Sequence, residues 1–129
     1  IHSAFIGSCA AGRQADLMVA AGVVKRARDI HAEVRLTLAP ATLEVAREAV
    51  TTGLYKIFIN ASAMIAVSGS SPGMAGGGAL FGEGEVILST VPYSSAMTDA
   101  GRGPDVYRAS PLAVAAAAVA GEVRHPADL

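Results

Sequence analysis

Cysteine occurs once in this 129-residue chain, at position 9, and that scarcity excludes more than any motif establishes. One thiol cannot form a disulfide framework, and an unpaired cysteine argues against an oxidising compartment, so a cytoplasmic setting is expected. Charge is also scarce. Charged residues make up 16% of the chain, against about 25% in an average soluble domain, and a surface this poor in charge suggests that something else covers part of it. Ten basic and eleven acidic residues leave a formal net charge of -1, which offers no footprint for nucleic acid or an anionic membrane. The three histidines, His2, His31 and His125, share no spacing that would set two on one helix face, so no zinc site is expected. The longest uncharged stretch, Ile57 to Gly82, is interrupted by Asn60, Pro72 and many small residues, and is not read as a membrane span. Ile1-His2-Ser3 shows no basic region followed by an apolar one, so no signal peptide is expected.

What is present alternates. The length suits one domain, taken as residues 1–129. Ala4, Phe5 and Ile6 form a short apolar run predicting a buried strand over Ser3 to Ser8, and Gln14 to Ile30 follows a helical period with Leu17, Met18, Ala21, Val24, Ala27 and Arg28 on one side. Val34, Leu36 and Leu38 alternate as in a strand that Pro40 stops. Thr42 suits the N-cap of a helix from Leu43 to Thr52 with Leu43, Val45, Ala46, Ala49 and Val50 as its inner stripe. Lys56 to Ile59 is read as a third strand, Ala61 to Met64 as a helical turn, Val86 to Val91 as a fourth strand and Pro92 to Pro104 as a polar connection. Ser110-Pro111 opens an alanine-dense helix through Ala120 that Gly121 closes. Strand and helix in this rhythm predict a mostly parallel sheet covered by helices. Between Ser68 and Gly84 glycine recurs at 69, 73, 76, 77, 78, 82 and 84, but without the Gly-Lys-Ser/Thr of a P-loop or the placement of a dinucleotide fingerprint.

Gly7-Ser8-Cys9 before a helix, Gly84-Glu85-Val86 with Ser89-Thr90, and Ser110-Pro111 through Gly121 together resemble the third domain of the aconitase and isopropylmalate dehydratase large-subunit family, over nearly the whole chain. The resemblance implies a three-layer α/β/α fold and a chain that is a fragment or stand-alone remnant of a larger protein. It also implies other domains or subunits as partners, and a hydro-lyase chemistry on a small hydroxy-carboxylic acid in which a four-iron four-sulfur cluster acts as Lewis acid. In the family one cluster cysteine lies in Gly-Ser-Cys and two in a Cys-x-x-Cys loop. Cys9 matches the first, whereas Ser70 and Gly73 stand at the other two. A serine hydroxyl or a glycine does not replace a thiolate ligand, so no cofactor is expected. The Thr-Asn that usually follows the first cysteine is Ala10-Ala11, and the stretch that usually carries a carboxylate-binding arginine is Pro92-Tyr93-Ser94-Ser95.

Two functions therefore stay open. One is a catalytically silent structural or interaction module; the other is one part of a hydro-lyase or isomerase whose remaining active site lies on other domains. The candidate ligand-binding residues are Ser8, Cys9, Arg13, Ser70 and Ser89, with a small carboxylate as the ligand. Cys9 is expected to be a small buried hydrophobe ending the core strand, with a reactive thiol at a helix N-terminus as the alternative. Asp16, Glu83, Glu85 and Asp99 are read as caps or solvated charges.

Overall fold

A computed structural model describes residues 1–71, 81–91 and 103–129. Five parallel strands form one sheet: β1 (Ser3–Gly7), β2 (Arg35–Ala39), β3 (Met64–Ile65), β4 (Val86–Ser89) and β5 (Asp105–Arg108), in the order β3-β2-β1-β4-β5. The architecture is three-layer α/β/α. β1 lies at the centre, pairing with β2 from Ser3↔Arg35 to Gly7↔Ala39 and with β4 from Ser3↔Ile87 to Phe5↔Ser89. The strand order turns back on itself between β1 and β4, and in open parallel sheets the crevice beyond the carboxyl ends at such a point is where sites form.

Alternation along the central strands sorts their side chains to two faces. Ala4 and Ile6 of β1, Leu36 and Leu38 of β2, and Leu88 of β4 belong to the larger core, which the helices complete. Phe5 points the other way, with Ala39 and Val91 and the half-buried Ala66 and Phe81. Five helices were found among the described residues: α1 (Ser8–Ala11), α2 (Gln14–Ala27), α3 (Leu43–Thr51), α4 (Leu54–Asn60) and α5 (Pro111–Ala120), followed by a 3-10 turn at Pro126–Asp128. α5 packs on α2 and on β1 and β4, and this explains its alanines: Val114, Ala115, Ala116, Ala117 and Ala118 are all fully buried, so only small side chains fit between the sheet and the neighbouring helix. Both ends of α5 form as expected, with Ser110 Oγ accepting from the Ala113 amide at 3.3 Å and Gly121 left-handed at φ 82°.

Several expectations need correction. Lys56 to Ile59 is not a strand but the middle of α4, because Leu54 and Phe58, one helical turn apart, both enter the core and outweigh the β preference of Ile-Phe-Ile. The third strand is instead Met64–Ile65, beginning on the last of the residues Ala61 to Met64 expected to form a helical turn, and it pairs with Thr37 and Leu38. β5 was not foreseen: Asp-Val-Tyr-Arg is short, has charged ends and sits at the sheet edge with Tyr107 exposed, so it lacks the apolar signature of a core strand. Residues 92–102 of the expected connection lie outside the described residues. The inner stripes also shift. α2 ends at Ala27 and buries Leu17, Ala20, Ala21 and Val24 but leaves Met18 exposed, while α3 fully buries Ala49 yet leaves Leu43 and Val50, two turns apart on one face, 63% and 65% exposed. Enlarging Ala117 to Leu overpacks the α2–α5 contact, and urea denaturation is expected to show a loss of about 1–3 kcal/mol in stability.

Candidate functional site at the strand carboxyl ends

β1 ends in a turn that only particular residues permit. Gly7 has φ 134°, and a Cβ there would lie 1.8 Å from the Ala39 carbonyl oxygen on β2. Ser8 follows at φ 62°, left-handed, a conformation that costs a non-glycine residue about 1–2 kcal/mol. Gly12 permits a second close approach, since a Cβ there would meet the Ala39 oxygen and the Ala41 nitrogen at 2.7 Å. In place of side chains, backbone hydrogen bonds join the loops: the Ala41 amide donates to Gly12 O at 2.8 Å and the Gly69 amide to Pro40 O at 2.8 Å. From the other side of β1, Thr90 Oγ1 accepts from the Gly7 amide at 3.0 Å, and the Thr90 amide donates to Phe5 O at 3.0 Å.

Hydroxyl groups gather within this frame. Ser8 Oγ lies 3.0 Å from Ser71 Oγ, 3.4 Å from the Gly69 carbonyl oxygen and 3.9 Å from Cys9 Sγ. Ser8 is fully buried, while Cys9, one residue on, is exposed. That corrects the expectation of a buried cysteine: the left-handed turn at Ser8 keeps the hydroxyl under the loops and turns the thiol outward. A second correction concerns the helix. Cys9 belongs to the four-residue α1, separated by Gly12 and Arg13 from the long α2, so the long helix does not begin at the thiol.

The structure brings Ser8, Cys9 and the loop carrying Ser70 and Ser71 together at the carboxyl edge, where Ser89 also ends β4, but it turns the Ser70 and Ser89 hydroxyls to nearby backbone and leaves Arg13 on the surface. Ser70 is buried with its hydroxyl donating to the Val67 carbonyl, and Ser89 Oγ, also buried, accepts from the Val91 amide at 3.0 Å. Arg13 is the N-cap of α2, where its guanidinium pairs with Asp16 at 3.2 Å and its own amide donates to the same carboxylate. Its side chain is 74% exposed and belongs to a surface pair rather than a cleft. Each histidine uses Nδ1 to accept a backbone hydrogen bond: His31 from Glu33 and His125 from Ala127 locally, and His2 from Val86 at the start of the neighbouring strand. Glu85 accepts from the Gly82 amide at 2.9 Å and pairs with Arg35. Gly73, Asp99 and residues 92–95 lie outside the described residues.

Ser71, Gly69 and Thr90 were not among the candidates, yet they carry the contacts. Thr90 was detectable, since it follows a strand that pairs in parallel beside β1 and carries the first hydroxyl past its end. Ser71 was not, because its approach depends on how the 66–71 loop crosses above β2.

The model of the aconitase family (aconitate hydratase) matches residues 1–121. The chain belongs to the aconitase family. Over all 129 residues it is 35% identical to the 3-isopropylmalate dehydratase large subunit of Sulfurihydrogenibium sp. (strain YO3AOP1), and 37% identical to a probable 3-isopropylmalate dehydratase large subunit of Methanothermobacter thermautotrophicus. Over 128 residues, 99% of the chain, it is 35% identical to the methanogen homoaconitase large subunit of Methanocaldococcus jannaschii. The chain spans about 30% of the length of each of these relatives.

Among the described residues no group of three or more His, Cys, Asp or Glu side chains could hold a metal ion, and no helix is long and apolar enough to cross a membrane. A cluster held by thiolates does not fit the donor set described: the sequence has one cysteine, and the Ser70 hydroxyl is directed to a backbone carbonyl.

Two outcomes check this geometry. Gly7→Ala places a methyl group against the Ala39 carbonyl in a glycine-only conformation, and chemical denaturation is expected to show a loss above about 4 kcal/mol or failure to fold. Cys9 is expected to react stoichiometrically with an aromatic disulfide reagent in the absence of denaturant, whereas protection until unfolding would contradict its exposure.

Proposed function

We propose that this chain is an isopropylmalate dehydratase-like domain that has exchanged iron–sulfur ligation for hydroxyl packing and is catalytically silent on its own. The observation that carries the reading is Ser70. It stands where the family resemblance puts a cluster cysteine, it is buried, and its hydroxyl donates to the Val67 carbonyl within its own loop. A group aimed at its own backbone is a packing element, and with Gly73 at the other position one thiol would remain of three. The domain is then a structural or interaction module. Its partners are other domains or subunits of an aconitase-like assembly, since the curated relatives are themselves described as large subunits. The exposed Leu43 and Val50 on α3 supply apolar surface for such contacts. The unpaired, exposed Cys9 is in keeping with a cytoplasmic setting.

A second reading is favoured by the corner itself. Ser8, Ser71 and the exposed Cys9 still meet at the strand ends where the fold places its chemistry. The Ser8 and Ser71 hydroxyls can donate to a carboxylate oxygen. Arg13, tied to Asp16 in this structure, would have to exchange that partner to assist. On this reading the assembled protein is a lyase acting on a small hydroxy-carboxylic acid, with this chain supplying one wall and other domains the groups that move protons.

Anaerobic iron and sulfide reconstitution separates the two. The chain as it stands is expected to retain less than stoichiometric iron and to show no charge-transfer absorption. Ser70→Cys with Gly73→Cys restores the thiolates the family uses and is expected to raise iron incorporation. Stoichiometric iron in the unmodified chain would overturn the proposal, and dehydration of isopropylmalate by the full-length protein would select the second reading.

A further inference from the structure

The basic residues of this chain are unevenly placed. It has only two lysines, Lys25 and Lys56, thirty-one positions apart in sequence, and both line the same pocket of about 340 Å³ between α2 and α4. Arg28 and Asn60 complete its polar rim, and Val24 and Ile57 line it with apolar surface. None of its lining residues is acidic, and Lys25, Arg28 and Lys56 make no ion pair among the described residues.

Helix electrostatics account for part of this arrangement and not for the rest. Lys25 and Arg28 close α2, where cations are favoured by the helix dipole. Lys56 sits in the first turn of α4, the end that disfavours a cation, and it faces the other two. Arg28 itself takes the left-handed C-cap position of α2, φ 75°, which glycine or asparagine fills at lower cost. Three like charges with no described counter-charge, one on an unfavourable helix end and one on an unfavourable backbone, call for an anion between them.

We propose that this pocket binds a small organic polyanion, a phosphate ester or a di- or tricarboxylate on a short carbon skeleton, with its charged groups on Lys25, Arg28 and Lys56 and its carbon body against Val24 and Ile57. The volume is within the range of small-molecule sites, and the Asn60 amide adds a neutral donor. The pocket is separate from the Cys9 corner. α2 leaves the carboxyl end of β1 and returns to the amino end of β2, so its last turn lies at the opposite edge of the sheet.

The test is calorimetric titration of the full chain with pyrophosphate, glycerol 3-phosphate and citrate at matched ionic strength, which removes general screening. Saturable one-to-one binding of at least one of them is expected; which one binds separates the phosphate from the carboxylate source. Lys56→Gln, checked for folding by circular dichroism, is expected to weaken binding at least about tenfold, and Arg47→Gln, an exposed cation on α3 away from the pocket, to leave it unchanged. Should Lys56→Gln fail to fold, Lys25→Gln replaces it with the same expectation. Absence of saturable binding, or equal loss in Arg47→Gln, would overturn the proposal. So would a glutamate-rich peptide that binds the same three side chains more tightly than every small anion, since the occupant would then be a protein segment.

Discussion

The contact on which this structure depends is the approach of the β1 end to the β2 end, close enough that no side chain fits between them. Gly7 and Gly12 both stand where a Cβ would run into the Ala39 carbonyl, and the Ala41 amide closes onto Gly12 O at 2.8 Å. Because the two strands meet at their backbones, the 66–71 loop can settle over them, with Gly69 held to Pro40 O and Ala66 to Leu38 O at 2.8 Å. Everything at the carboxyl edge inherits its position from that stack. Ser8 is left-handed because the chain must turn sharply after Gly7; being left-handed, it buries its own hydroxyl and exposes the thiol beside it.

The hydrogen bonds so assembled are neutral. Ser8 meets Ser71, Ser70 meets its own loop, Ser89 meets Val91 and Thr90 meets Gly7. Each such bond contributes a net stability of about 0.5–1.5 kcal/mol, and more is lost if a buried partner is stranded. Hydroxyl hydrogen bonds therefore help to hold the described loops together at this edge. The serine-rich segment from Ser68 to Ser71 provides several.

Legibility in the sequence followed burial on both sides. β1, β2 and β4 are continuous or alternating apolar runs, and α5 carries both caps in its residue types, so all four are readable from composition and period alone. The elements that escaped were those whose identity depends on neighbours. Ile-Phe-Ile has strand propensity, and only the presence of α2 and the core beneath turns Leu54 and Phe58 into one face of α4. β3 has two residues and β5 lies at an edge, and neither can show a pattern long enough to be recognised. The site divides in the same way. Gly7-Ser8-Cys9 is visible as a motif, yet whether its thiol is buried is decided by one φ angle, and the serine that meets Ser8 comes from a loop over sixty residues away.

The chain's charge is arranged with respect to the same sheet. At the carboxyl edge the described contacts of Ser8, Ser70, Ser71 and Thr90 involve no charged side chain, and the nearest candidate, Arg13, is neutralised by Asp16. The cations instead gather where α2 ends, on the edge from which the strands begin. A dipole argument would put Lys25 and Arg28 there in any helix of this composition, so those two alone say little. Lys56 is the residue that carries weight, because α4 places it against the preference of its own helix and beside the other two. A chain of net charge -1 with two lysines has little need to set both against an arginine. The three side chains are exposed, so solvent screens part of their repulsion, and an anion bound between them would offset the rest.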